Sequence, residues 1–102
     1  SKVYPMITIS HVRIYPFDTG GLGGHTLAYA EVTIDACLVV KGLRVVEGAN
    51  GGLFVAFPSQ RGRNGRYHDL VVPLDAETRE YIRSAVIEAF QRWSPSQPSV
   101  ES

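Results

Sequence analysis

Along residues 26–35 the chain alternates apolar and polar side chains without a break. Ala28, Ala30, Val32 and Ile34 share one phase; Tyr29, Glu31, Thr33 and Asp35 share the other. A period of two defines a strand with one dry and one wet face, the pattern of an antiparallel sheet. A strand covered on both faces would be apolar throughout. The fold must therefore bury one side of a sheet and leave the other side wet.

The flanking segments supply partners for this strand. Residues 6–15 are rich in β-branched and aromatic types and predict another strand. Ile7 and Ile9 fall on one phase and Val12 and Ile14 on the other, which a bulge near Ser10 and His11 reconciles. A tight turn over 35–37 leads into a strand over 38–47, where Gly42 shifts the phase between Val40 and Leu43 and marks a second bulge. Gly48-Ala49-Asn50-Gly51-Gly52 is a turn that tolerates positive φ. A short apolar strand over 53–57 ends at Pro58. The Asn64-Gly65 pair then signals a hairpin, with a returning strand over 67–72 stopped by Pro73. Four glycines within 20–24 have the composition of a phosphate loop, but the strand that follows offers no helix N-terminus, so the segment is expected to be a flexible hairpin loop.

After Pro73 the period changes. Asp75 is a good N-cap, and Glu77 and Glu80 sit near the positive end of the helix dipole. Ile82, Val86, Ala89 and Trp93, widened by Ala85 and Phe90, form one apolar stripe of a helix over 76–93. Glu88 and Arg92 make an i,i+4 pair. Residues 94–102 contain four Ser and two Pro without periodicity and are expected to be disordered. The predicted architecture is α+β: one domain over 1–93, with a bent antiparallel β-sheet of about five to six strands and one long C-terminal helix packed on one face. A sheet edge, or the open Tyr29/Glu31/Thr33 face, is then available to a second copy, and a homodimer is expected.

Composition narrows the function. Ten basic and ten acidic residues give a formal net charge of zero, which excludes a bulk polycation but not a local cationic patch. No apolar run reaches the roughly 18–20 residues of a membrane span. Residues 1–5 do not resemble the start of a signal peptide. A single cysteine forms no internal disulfide and fits a reducing compartment. His11, His25 and His68 lack zinc spacing, so no metal or other cofactor is expected. Ser59, His68 and Asp69 do not make a triad, because His68 and Asp69 are adjacent on a strand and point to opposite faces. Cys37 lies near a turn with no basic neighbour closer than Lys41 and is expected to be structural. Neither an enzyme nor a small-molecule substrate is expected.

One segment has chemical direction. Residues 59–68 carry Arg61, Arg63 and Arg66 and no acid, a charge of +3 against −3 for the rest. Guanidinium forks suit phosphate oxygens, and Gln60, Tyr67 or His68 are placed to reach or stack on bases. On composition alone the favoured reading is a merely solvated hairpin. Arg79 and Arg83, one helical turn apart, are either a second phosphate contact or partners of Glu80 and neighbouring acids.

The run Leu43-Arg44-Val45-Val46-Glu47-Gly48, then Asn50-Gly51, then Leu53-Phe54-Val55-Ala56-Phe57-Pro58-Ser59, resembles the stage V sporulation protein G family of septation regulators. Arg61, Gly65, Tyr67, Asp69, Pro73 and Arg79 continue the likeness, which covers roughly residues 7–93. The resemblance implies a small cytoplasmic bacterial protein, β-rich with a C-terminal helix, usually dimeric, and linked to septum formation, sporulation and global regulation. It also implies binding of DNA, and of RNA, in some members. Gln60 stands where the family pattern has a basic residue, His68 where it has arginine, and Val72 where it has histidine. Arg63 and Arg66 add charge nearby.

Overall fold

The computed structural model describes residues 7–16 and 25–93. The glycine-rich loop over 20–24, the start of the first predicted strand at Met6 and the expected tail over 94–102 lie outside the described residues. Six strands precede one helix: β1 (Ile9–Pro16), β2 (Thr26–Ile34), β3 (Leu38–Glu47), β4 (Leu53–Ala56), β5 (Ser59–Arg61), β6 (Tyr67–Asp69) and α1 (Ala76–Arg92). The class is α+β with antiparallel pairing throughout, but the strands divide between two sheets. β1–β4 form a meander in sequence order, and β5 pairs only with β6.

The alternation in β2 determines the core. Ala28, Ala30 and Val32 are buried, together with Leu43 and Val45 of β3. Both expected bulges are present: the β1–β2 register shifts between Ile9 and His11, and the β2–β3 register shifts opposite Gly42, which holds φ +90°. The first bulge lets Ile9, Val12 and Ile14 all reach the core. The 35–37 turn carries Asp35 and Ala36 at φ 53° and 55°. It is tied to β1 by Asp35 N–H donating to Thr8 O (2.7 Å) and Ala36 N–H donating to Ser10 Oγ (3.0 Å). Cys37 in this turn is exposed and takes no part in the core.

α1 begins where Asp75 Oδ1 accepts a hydrogen bond from Thr78 N–H at 2.7 Å. It packs across all four strands of the larger sheet. Ile82 and Val86 enter the buried cluster, and Ile87, Phe90 and Trp93 pack against it. Tyr81 adds a polar tie, its hydroxyl oxygen accepting from Ile9 N–H at 2.9 Å. Glu88 and Arg92 approach to 4.0 Å, with both side chains largely exposed. Such a pair contributes little.

The predicted returning strand over 67–72 is shorter than expected, ending at Asp69. The cause is Pro58. Its carbonyl accepts from Leu70 N–H at 2.8 Å, but it has no N–H to return, and Phe57 before it turns into the core. The chain beyond Leu70 leaves the ladder.

Candidate nucleic-acid interface

The β5–β6 hairpin carries the cationic segment. Ser59 faces Asp69, Gln60 faces His68 and Arg61 faces Tyr67. Directly opposed residues share a face and successive residues alternate. Arg61 and Tyr67 therefore lie on one side, with Ser59 and Asp69, while Gln60 and His68 lie on the other. Asp69 does not face His68, so Ser59, His68 and Asp69 are not assembled as a triad.

The loop is a three-residue connection. Gly62 N–H donates to Arg66 O at 2.7 Å, Gly65 N–H donates to Gly62 O at 3.0 Å, and Arg66 N–H donates to Asn64 Oδ1 at 2.9 Å. Gly65 takes φ +81°, the left-handed position that closes such loops. The β3–β4 connection repeats this arrangement: Gly48 N–H to Gly52 O at 2.7 Å, Gly51 N–H to Gly48 O at 2.9 Å, and Gly52 N–H to Asn50 Oδ1 at 2.9 Å. The shared signal is Gly-X-Asn-Gly, in Gly48-Ala49-Asn50-Gly51 and Gly62-Arg63-Asn64-Gly65. Arg63 thus occupies the X position of a tightly hydrogen-bonded loop.

Arg61, Arg63 and Arg66 are exposed and make no ion pair or side-chain hydrogen bond among the described residues. Arg61 folds alongside the loop, its Nη2 3.7 Å from where a Cβ on Gly65 would sit. The His68 ring lies so close to Gly62 that a Cβ there would overlap it. On the helix, Arg83 is engaged by Glu80 at 3.4 Å, whereas Arg79 has no carboxylate within 4.0 Å among the described residues. Arg79 and Arg83 line a groove of about 380 Å³ with Phe54, Asp69 and Val72. Of the two readings for these arginines, the carboxylate pairing holds for Arg83.

A second groove, of about 580 Å³, joins the hairpin to the large sheet. Gly42 and Arg44 of β3 line it together with Pro58, Ser59 and Tyr67. Nothing in the sequence pattern singles out Arg44, because its place beside Tyr67 depends on how the two sheets meet. Among the described residues there is no group of three His, Cys, Asp or Glu side chains arranged to hold a metal ion, and no helix is long and apolar enough to cross a membrane.

A four-stranded antiparallel meander, one helix across one face and a cationic hairpin appended at its edge define a small α+β module whose exposed chemistry is arginine and aromatic. The family model for SpoVG matches residues 7–92, and the chain belongs to the SpoVG family. Curated relatives agree along most of their length. The chain is 36% identical to a Borrelia hermsii protein over 93% of this chain and 98% of that one. It is 37% identical to an Anaeromyxobacter protein over 82% and 81%, and 36% identical to one from Bdellovibrio bacteriovorus over 82% and 73%. All three carry the name "Putative septation protein SpoVG".

Proposed function

We propose that this chain is a non-enzymatic regulator of the septation type that binds nucleic acid, DNA or RNA, through the β5–β6 hairpin. One observation carries the reading: three arginines stand on a single short hairpin, and none of them makes an ion pair among the described residues. Unpaired guanidinium groups at this spacing suit phosphate oxygens, and Tyr67, 69% exposed beside Arg61, offers a ring to a base. Gln60 and His68 on the far side of the hairpin serve as a second polar edge, and Arg79 in the adjoining groove is a further phosphate contact. The chain acts as a homodimer joined at a sheet edge, β4 being the edge beside the exposed Phe54. Anisotropy of a labelled oligonucleotide with the R61E/R63E/R66E variant tests the hairpin. Loss of binding at physiological salt, with an unchanged unfolding midpoint, is the expected outcome. Unaltered affinity rejects the assignment.

A second reading is a protein-interaction module of the division machinery that does not bind nucleic acid directly. It is favoured by the segment between β6 and α1, where Leu70, Val72 and the 94% exposed Leu74 present apolar side chains to water. It predicts a partner protein in pull-downs and oligonucleotide binding only at low salt.

A further inference from the structure

β5 and β6 pair only with each other, and neither strand is packed against another strand or the helix. The hairpin is a two-stranded ribbon that stands clear of the rest of the fold. Its two faces differ. Ser59 and Tyr67 line the groove shared with Arg44, and Asp69 lines the one shared with Arg79, so their face is turned to the body. Gln60 and His68 line neither groove and lie on the outward face. Gly62 and Arg66 share that face, because Gly62 N–H bonds to Arg66 O two positions further along the ribbon. At Gly62 the His68 ring takes the space that a Cβ would need. The outward face is therefore flat and free of acid. The Gln60 carboxamide has no hydrogen-bond partner among the described residues.

A free carboxamide holds a donor and an acceptor side by side, and the base edge that matches it is adenine N6 and N7. In duplex DNA those two atoms lie in the major groove, which is about 12 Å wide and admits a two-stranded ribbon. Two strands about 4.8 Å apart meet that width. Each has three residues, a length of about 10 Å against a groove depth of about 8.5 Å. Double-stranded RNA has a deep, narrow major groove that side chains do not read. We infer that the β5–β6 ribbon enters the major groove of duplex DNA with its outward face on the base edges, and that Gln60 is the residue that selects adenine. Arg63 and Arg66 stand at the loop end, and Arg61 is folded along the loop beside Gly65, so all three guanidinium groups meet phosphates at the groove wall. Phosphates are open to them on a single strand as well, whereas reading by Gln60 requires the duplex. This rests on the hairpin reading and adds the class of nucleic acid and the residue that distinguishes bases.

The test uses the full chain at physiological salt and two labelled A·T duplexes of about 20 base pairs, or two helical turns. One is unmodified. In the other every adenine is 7-deazaadenine, which removes the N7 acceptor from the major groove and leaves the pairing, the minor groove and the backbone charge as they were. The wild-type chain is expected to bind the unmodified duplex about 5-fold or more tightly. Q60A is expected to bind the two duplexes alike while keeping the wild-type dependence on salt, since no phosphate contact is lost. Equal affinity of the wild-type chain for the two duplexes overturns the inference whether or not any variant folds. A preference that survives in Q60A also overturns the assignment to Gln60. Failure of the hairpin reading is a separate result: R61E/R63E/R66E would leave affinity for the unmodified duplex unchanged. Loss of binding in that variant, with the wild-type chain indifferent to N7, would leave the hairpin standing and reject the groove.

Discussion

Ala36 holds φ 55° in the β2–β3 turn, a region where an L side chain is strained by about 1–2 kcal/mol. Glycine relieves the strain at the expense of a more flexible unfolded chain. A36G is thus expected to raise stability by about 0.5–1 kcal/mol in urea denaturation. The reverse applies at Gly51, where nothing lies within 4 Å of an added Cβ and φ is +86°. G51A is expected to lose about 1 kcal/mol through the backbone alone, with no repacking. Gly62 differs again, because its constraint is the His68 ring and not a positive φ. G62A disturbs the hairpin by displacing that ring. The G62A/H68A pair is expected to be clearly non-additive in a double-mutant cycle. Additive losses would mean that His68 does not pack on Gly62 in solution. At this scale the sequence was partly legible. Gly51 stood out as part of a glycine turn, but the strain at Asp35 and Ala36 has no glycine to announce it.

Local rules account for most elements. The period-two run of β2 predicted its buried face, and the phase changes at Ser10 and Gly42 predicted the bulges, since each is a count along one strand. Asp75 as N-cap and the Ile82/Val86 stripe were legible for the same reason. Removing the cap with D75A is expected to cost about 0.5–2 kcal/mol, read from the denaturation midpoint. Less legible was the separation of β5–β6 from the main sheet, which turns on what Pro58 withholds from strands on either side of it. A two-stranded hairpin is marginal by itself. Its backbone amides are expected to exchange with deuterium faster than those of β2 and β3, which pair on both sides around the buried cluster. Equal protection would mean that the hairpin is held by more than its own ladder, most simply by a second copy.

For the molecule as a whole, net charge misleads and distribution informs. A formally neutral chain gathers three of its arginines on one hairpin, while Arg83 and Arg92 pair with Glu80 and Glu88 on the helix. The Pro58-Ser59-Gln60-Arg61 run and the acid-free segment over 59–68 pointed to the hairpin from sequence. How the neighbouring strands line up across the large sheet did not emerge there, because their registers shift at three places. Light scattering at micromolar concentration is expected to give twice the mass of one chain. A single-chain mass would remove the proposed edge pairing but leave the hairpin intact.

On the proposed reading, the Arg61, Arg63 and Arg66 guanidinium groups bind phosphates. The most direct measurement is the slope of log affinity against log salt for a single-stranded oligonucleotide, comparing the wild-type chain with R61A/R63A/R66A. Removing one arginine–phosphate ion pair should make the slope shallower by about 0.7. Removing all three predicts a change of about 2 on that scale. Identical slopes for the two proteins would contradict the account.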